Sequence, residues 1–236
     1  MPAGKNLVKA RYIFKRKSDG RFKARLVAKG YSQVKGVDYN EVFAPVVGKI
    51  NLRALLSLAA VEDWEIYQMD VKTAFLHGEL EEEIYMLAPE GMLYPKGTIL
   101  KLKKSLYGLK QASRSWYNLL DQYLLNLHFK RCVSDNCVYY EPNIYLVVWV
   151  DDLILFATDM IAMNKTKQGL HARFQMTDLG EAAHILGIRI ARDKTAGTIS
   201  LDQENYINKI VETKVENHLV IEGAGGVLVP LNDTEC

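Results

Sequence analysis

The run Tyr145-Leu146-Val147-Val148-Trp149-Val150-Asp151-Asp152-Leu153-Ile154-Leu155-Phe156 constrains this chain more than any other stretch. Apolar, β-branched and aromatic residues at this density read as buried strand. Two adjacent acids interrupt the run, and burying a carboxylate without a partner costs several kcal/mol. Either the acids stand in solvent at a hairpin turn between two strands, or a cation neutralises them. A hard divalent metal suits such oxygen ligands. A further acid bears on the choice. Trp64-Glu65-Ile66-Tyr67-Gln68-Met69 alternates and reads as a strand ending at Asp70. If the strands are neighbours, Asp70 and Asp151 form a carboxylate cluster. Two divalent ions held about 4 Å apart by such a cluster clamp the attacking and leaving oxygens of an in-line displacement at phosphorus. Spacing alone does not separate this arrangement from ordinary aspartates at strand ends.

The 236 residues suffice for one large or two small domains. Hydrophobic content of 49% and charged content of 25% are ordinary for a globular, soluble protein. No apolar run is long enough to span a bilayer, and the first residues start no secretory signal. Three cysteines, Cys132, Cys137 and Cys236, are odd in number and lack paired metal spacing, which suggests free thiols in a reducing compartment. The net charge is only +2, yet residues 1–35 hold eleven Lys or Arg against the single acid Asp19. Residues 91–120 hold six Lys or Arg and no acid. Two such segments suggest local contact with a polyanion, although a solvated basic face has the same composition.

Along the chain, residues 10–14 and 24–28 read as strands joined by a basic hairpin whose turn contains Asp19-Gly20. Residues 51–60 are Leu/Ala-rich on more than one side and predict a buried helix. Trp116, Leu119, Leu120, Tyr123, Leu124 and Leu127 recur at helical spacing, so residues 114–128 predict an amphipathic helix with those side chains in the core. A hairpin carrying the acids spans about residues 137–157, and a helix follows over 160–174. Residues 183–190 and 198–201 predict a second hairpin, turning at Thr195-Ala196-Gly197. Ser200 with Gln203 fits a capping box opening a final helix. Beyond about Lys214 the pattern weakens, and residues 223–226 read as a flexible linker. Helices alternating with strand pairs indicate an α+β chain on an antiparallel sheet.

Several blocks, in order, resemble those of copia-type LTR retrotransposon reverse transcriptases. They are Lys23-Ala24-Arg25-Leu26-Val27-Ala28-Lys29-Gly30-Tyr31-Ser32-Gln33, the segment from Trp64 through Asp70-Val71-Lys72-Thr73-Ala74-Phe75-Leu76-His77-Gly78, and Ser105-Leu106-Tyr107-Gly108-Leu109-Lys110-Gln111-Ala112-Ser113-Arg114-Ser115-Trp116. Trp149-Val150-Asp151-Asp152, Asp178-Leu179-Gly180 and Ile185-Leu186-Gly187-Ile188 continue the series. The resemblance implies a right-hand polymerase with fingers and an antiparallel palm sheet over residues 1–214. It implies a truncated thumb, with residues 215–236 a divergent tail. Asp70, Asp151 and Asp152 then correspond to the catalytic, metal-binding carboxylates, for Mg2+ or Mn2+. Neighbours in a strand point to opposite faces, so Asp151 is expected to be the firmer ligand of the adjacent pair. Lys23 and Arg25 correspond to contacts with the triphosphate, Phe75 to the side chain that packs on the incoming sugar, and Gln111 to a nucleotide contact. Ile185, Leu186, Gly187 and Ile188 correspond to the primer grip. Implied partners are an RNA or DNA template, a DNA or tRNA-type primer and dNTPs, with no membrane. The implied setting is a cytoplasmic virus-like particle, with the nucleus as the alternative. Departures accompany these matches. Trp149 stands for the usual Tyr and Ser113 for the common Pro, and no lysine lies in residues 177–183 to act as general acid toward pyrophosphate. The functional alternative is a catalytically inactive nucleic-acid-binding remnant.

Overall fold

The computed structural model describes residues 2–17 and 19–222, the side chains of 214–222 excepted. The chain divides into two compact units, Met1–Glu181 and Ala182–Cys236. In the first unit, β1 (Leu7–Val8), β2 (Ala10–Arg16) and β3 (Phe22–Ala28) precede helix α1 (Lys49–Val61) and β4 (Glu65–Val71). Short strands β5 (Tyr85–Leu87) and β6 (Ile99–Lys101) lead to α2 (Ala112–Asn126). Then come β7 (Lys130–Cys132), β8 (Asp135–Glu141), β9 (Ile144–Trp149), β10 (Asp152–Ala157), α3 (Met160–Arg173) and β11 (Met176–Glu181). The second unit contains β12 (His184–Ile185), β13 (Ile188–Asp193), β14 (Thr198–Asp202) and α4 (Glu204–Glu222).

The apolar run becomes the middle of a six-stranded antiparallel sheet of order β11-β4-β10-β9-β8-β7. All five residues from Leu153 to Ala157 on β10 are 0% exposed. Both faces of this strand are therefore covered, which explains why its sequence is continuously apolar and does not alternate. Helix α3 packs against β10, and Asp159 caps it by accepting from the amides of Ile161 and Ala162 at 2.8 Å. Helix α2 buries Trp116, Leu120 and Leu124, in the stripe that its periodicity predicts.

The basic hairpin forms as expected, in the register Arg16↔Phe22 to Ala10↔Ala28. Gly20 takes a positive φ of 84° at its turn, and the Asp19 carboxylate accepts from the Arg21 amide and guanidinium. Helix α1 departs from expectation. It buries Leu52, Leu55, Leu56 and Ala59 along one side and leaves Ile50, Leu58 and Val61 exposed, so it is a half-covered helix.

The second unit also departs from its reading. Residues 183–190 do not form one strand. Leu186 and Gly187, at φ 53° and 75°, make a two-residue turn between β12 and β13, with Ile185 opposite Ile188. Positive φ at both positions is the pattern of a type I′ turn. The second expected turn is present between β13 and β14. Ser200 lies within β14, so it caps nothing. The Asp202 carboxylate accepts the Glu204 amide at 3.3 Å where the helix begins. Helix α4 runs past Lys214 to Glu222, and the unit boundary falls at Glu181/Ala182, well before residue 214. The expected glycine linker lies outside the described residues. No helix among the described residues is long and apolar enough to cross a membrane.

Candidate active site: two carboxylates on a basic cleft

Sheet register brings the acids together. Asp70, next to last on β4, lies directly opposite Asp152, the first residue of β10. Trp149 pairs with Asp152 across the β9–β10 turn, so Val150 and Asp151 are the two turn residues. Asp151 thus occupies a tight turn, the first of the two ways of accommodating the acids, and Asp70 and Asp152 are paired beside it. The Val71 amide donates to the Asp151 carbonyl at 3.0 Å and ties the turn to β4.

The turn is strained. Val150 has φ 56°, a left-handed conformation that a β-branched residue adopts only under constraint. Its constraint comes from α2. The Trp116 indole N–H donates to the Val150 carbonyl at 2.6 Å, and Trp116 is 1% exposed. His77, Phe174 and Tyr123 enclose this region, with ring centroids 5.1 Å apart for Trp116–Phe174. Among the described residues Thr73, three residues beyond Asp70, is the other β-branched residue at positive φ, 57°. The two sites of β-branched backbone strain therefore flank the acids.

Asp70 and Asp151 line a cleft of about 840 Å³ together with Lys17, Arg21, Lys23, Arg25, Lys72 and Tyr107. The cations come mainly from the β2–β3 hairpin. Burial holds the Asp70 carboxyl above its ordinary range, and the charges of Asp151 and Asp152 add to the effect. Burial likewise raises Asp152, opposed by the Gln68 amide that donates to it at 3.1 Å. Burial lowers the Lys23 ammonium, and Arg25 and Lys17 lower it further, while Asp70 and Asp151 pull it back. The cleft therefore sets crowded anions beside crowded cations, each partly offsetting the other.

The expected site residues divide. Asp70, Asp151, Lys23 and Arg25 share the cleft wall. Asp152 is not among the lining residues and is engaged by Gln68. Phe75 also stands off the wall: it packs against the cluster of Val8, Ala28, Ile84, Leu109 and Ala112, edge-on to Tyr107 at 5.1 Å. Gln111 is buried at 2% exposure and accepts from Gln33 at 3.0 Å. Its own amide donates to the Asp38 carbonyl at 2.7 Å and to Glu82 at 3.1 Å. In this structure its carboxamide is committed to an internal network and does not reach the cleft. Ile185, Leu186, Gly187 and Ile188 lie in the second unit, where they form the tight turn. Three residues went unsingled in the sequence: Trp116, read only as core, Lys72 and Tyr107.

Asp70 and Asp151 are hard oxygen donors of the kind a divalent cation takes. No group of three or more His, Cys, Asp or Glu among the described residues converges into a metal cage. Mg2+ seldom needs one, because it keeps waters and takes one or two carboxylates plus substrate phosphates. The donor set therefore fits such an ion.

Residues 1–230 match the reverse transcriptase (RNA-dependent DNA polymerase) family. The chain belongs to that family. It is 46% identical over 224 residues to the retrovirus-related Pol polyprotein from transposon TNT 1-94 of Nicotiana tabacum, a match covering 90% of this chain and 17% of that protein. Identity to the corresponding polyproteins from transposons RE1 and RE2 of Arabidopsis thaliana is 40% over 217 and 39% over 202 residues. These matches cover 87% and 81% of this chain, and 15% and 14% of those proteins. The chain thus spans under a fifth of the relatives it matches. The likeness to copia-type elements read from the motifs is borne out. Among solved structures, apo telomerase from Candida Tropicalis truncated from its C-terminal domain overlaps 85% of this chain and 56% of that chain. Identity there is 7% and the TM-score 0.44, too slight to carry an argument.

Proposed function

We propose that this reverse transcriptase chain carries the polymerase site of a retrotransposon Pol protein and performs template-directed DNA synthesis there. The reaction is attack of a primer 3′-hydroxyl oxygen on the α-phosphorus of a deoxynucleoside triphosphate. A new P–O bond forms, the bond to the β-phosphate oxygen breaks, and pyrophosphate leaves. The observation that carries the reading is the shared cleft, which Asp70 and Asp151 line together with the β2–β3 cations.

Asp70 and Asp151 would hold Mg2+ or Mn2+, with Asp152 behind them. When bound, such ions neutralise charge on the transferring phosphoryl group and orient the attacking and leaving oxygens. Lys23 and Arg25 face the same space and supply positive charge to the triphosphate, with Lys17 beside them. Trp116 fixes the turn bearing Asp151 through the Val150 carbonyl. On this reading the six-stranded sheet is the palm, the β2–β3 hairpin belongs to the fingers, and the second unit begins the thumb with its primer grip.

The partners are a primer–template duplex and dNTPs, bound chiefly through phosphate contacts and therefore sensitively to salt. Primer extension by the purified chain on RNA and DNA templates, with Mg2+ or Mn2+ against EDTA, is the test. Metal-dependent extension lost in Asp151→Asn supports the assignment. Duplex binding without extension under any metal would leave the chain a binding remnant.

A further inference from the structure

The opposite end of the six-stranded sheet carries a second cavity, of about 400 Å³. Trp64 in its lining precedes Asp70 by six residues, and Thr158 follows Asp152 by six. At the rise of a strand this is roughly 20 Å from the acids. The cavity and the cleft share no lining residue. Strand register builds the cavity wall. Lys130 pairs with Tyr140, Tyr140 with Tyr145 and Tyr145 with Phe156, on β7, β8, β9 and β10 in turn. Directly paired residues share a face, so one row runs from a cation across three aromatic rings. Trp64 stacks on Tyr145 with centroids 5.4 Å apart and planes at 15°, and Tyr140 lies 6.2 Å from Tyr145 at 34°. Phe156 is 0% exposed and Tyr140 39%, so the row passes from a sealed floor to an open ring.

The backbone fixes this frame. Pro142 and Asn143 turn between β8 and β9, Asn143 at φ 69°, and the Asn143 carbonyl accepts the Thr158 amide at 3.0 Å. The hairpin is thereby tied to the end of β10. His128 joins the lining from the end of α2. The His128 and Phe129 amides donate to the Leu125 and Leu124 carbonyls at 3.0 and 3.1 Å, and His128 holds φ 70° where glycine is usual. Charge decides what the rings can take. Glu141, the carboxylate of the lining, is paired with Lys165 at 3.1 Å. Lys130 has no ion pair among the described residues. The open charge beside the rings is therefore positive, and a ligand joining a flat ring to an anion satisfies both.

We infer that this cavity is a nucleic-acid site separate from the cleft, taking one unpaired nucleobase and its phosphate. The base stacks on the row of Tyr140, Tyr145 and Trp64, and the phosphate lies at Lys130 with His128 as a further donor. The volume is that of a site for a small ligand or for one residue of a longer one. Aromatic faces accept every base, so the site distinguishes unpaired from paired nucleic acid and not one sequence from another. A base within a duplex has both faces covered, so the ligand is a single strand or a free nucleotide. The inference needs neither metal nor dNTP and stands apart from the polymerase reading of Asp70 and Asp151.

The test uses the full chain in EDTA and a fluorescein-labelled single strand of five nucleotides, with anisotropy measured across a salt series. Tyr140→Leu should weaken binding about five- to a hundredfold, the range for one base on one ring. Lys130→Gln, at an exposed position that leaves the fold intact, should flatten the salt slope by about 0.7, as for one phosphate of a single strand. Both effects should be largest when Lys17, Lys23 and Arg25 are neutralised, because the cleft then no longer competes for the strand. Displacement of the strand by adenosine monophosphate would show that a free nucleotide suffices; displacement by unlabelled strand alone would make the strand the ligand. If Tyr140→Leu and Lys130→Gln both bind as tightly as their parent in that neutralised background, the inference is overturned. A proline-rich peptide that binds in a Tyr140-dependent way where the oligonucleotide does not would overturn it too, in favour of a protein partner.

Discussion

Replacing Trp116 by Phe tests whether the fold holds the Asp151 turn in place. The substitution removes the indole N–H that meets the Val150 carbonyl at 2.6 Å and leaves a ring in a site that is 1% exposed. A buried carbonyl without its donor costs about 1–3 kcal/mol. Loss of about three ring atoms, at about 0.8 kcal/mol each, adds roughly 2 kcal/mol. The sum, about 3–5 kcal/mol, should lower the melting midpoint by roughly 6–20 °C in a protein of this size. Stability is only half of the expectation. Left-handed strain of order 1–3 kcal/mol at Val150 is retained only while its surroundings enforce it. Without the indole the turn relaxes and carries Asp151 with it, and a displacement of about 1 Å at a reacting centre can cost about a hundredfold in rate. Leu120→Ala is the control: the same helix, equally buried, and a comparable loss of about 2–5 kcal/mol, but no bond to the turn. Denaturant melts and primer extension are measured at a temperature where both variants are folded. Extension by Trp116→Phe as fast as by Leu120→Ala would refute the positioning argument. A melting midpoint equal to wild type would refute the hydrogen-bond argument as well.

Asp151→Asn should lower extension by at least about a hundredfold, with little change in the melting midpoint measured in EDTA. Asp70→Asn should raise that metal-free midpoint at neutral pH, because burial and two neighbouring carboxylates disfavour its charge; a lower midpoint would show that a cation of the hairpin outweighs them. Neutralising Lys17, Lys23 and Arg25 together should flatten the salt dependence of duplex binding by up to about three units of slope, read from affinities across a salt series. Burial pushes the Cys137 thiol up to about 12, so between pH 9 and 12 the unfolded chain loses a proton that the native chain keeps. That contribution to stability is complete below pH 9 and falls by about 1.4 kcal/mol per pH unit above it, so Cys137→Ala should melt with a shallower alkaline slope than wild type.

What the sequence made legible follows the range of the interactions involved. The β9 and β10 strands were readable because a strand covered on both faces must be apolar throughout. The acids then mark the end of that run: Asp151 falls in the turn and Asp152 at the first position of β10, where the strand meets it. The Asp19-Gly20 hairpin and the α2 stripe were readable because turn chemistry and helical spacing are local. Strand β11, Met176-Thr177-Asp178-Leu179-Gly180-Glu181, carries no alternation to find. It is an edge strand with a register shift between Asp178 and Gly180, and pairing with β4 defines it. Leu186-Gly187 concealed a turn because leucine is an uncommon residue at positive φ. Gln111 and Tyr107 show the same limit within one motif. Four residues apart, in a loop that folds back on Ala28, the glutamine lies inward and the tyrosine lines the cleft, a difference that no local pattern marks.

The geometry around the acids opposes stability at each step that favours chemistry. Like charges directly opposite on antiparallel strands repel, yet Asp70 faces Asp152 with Asp151 beside them. β-branched residues avoid positive φ, yet Thr73 and Val150 adopt it on either side of the acids. Glycine at both positions would relieve the strain and free the backbone to move. What holds the arrangement is placed one layer back and is strong: the Trp116 indole, the Val71 amide, and a β10 strand without solvent contact from Leu153 to Ala157. A rigid sheet thus supports a locally unfavourable constellation, which persists because its surroundings over-determine it. The strain and the repulsion are therefore evidence about the site's use. Isolated, they lower the stability of the chain; on the proposed polymerase reading, a cation and a triphosphate entering the cleft would find the same charges and the same fixed turn already in position.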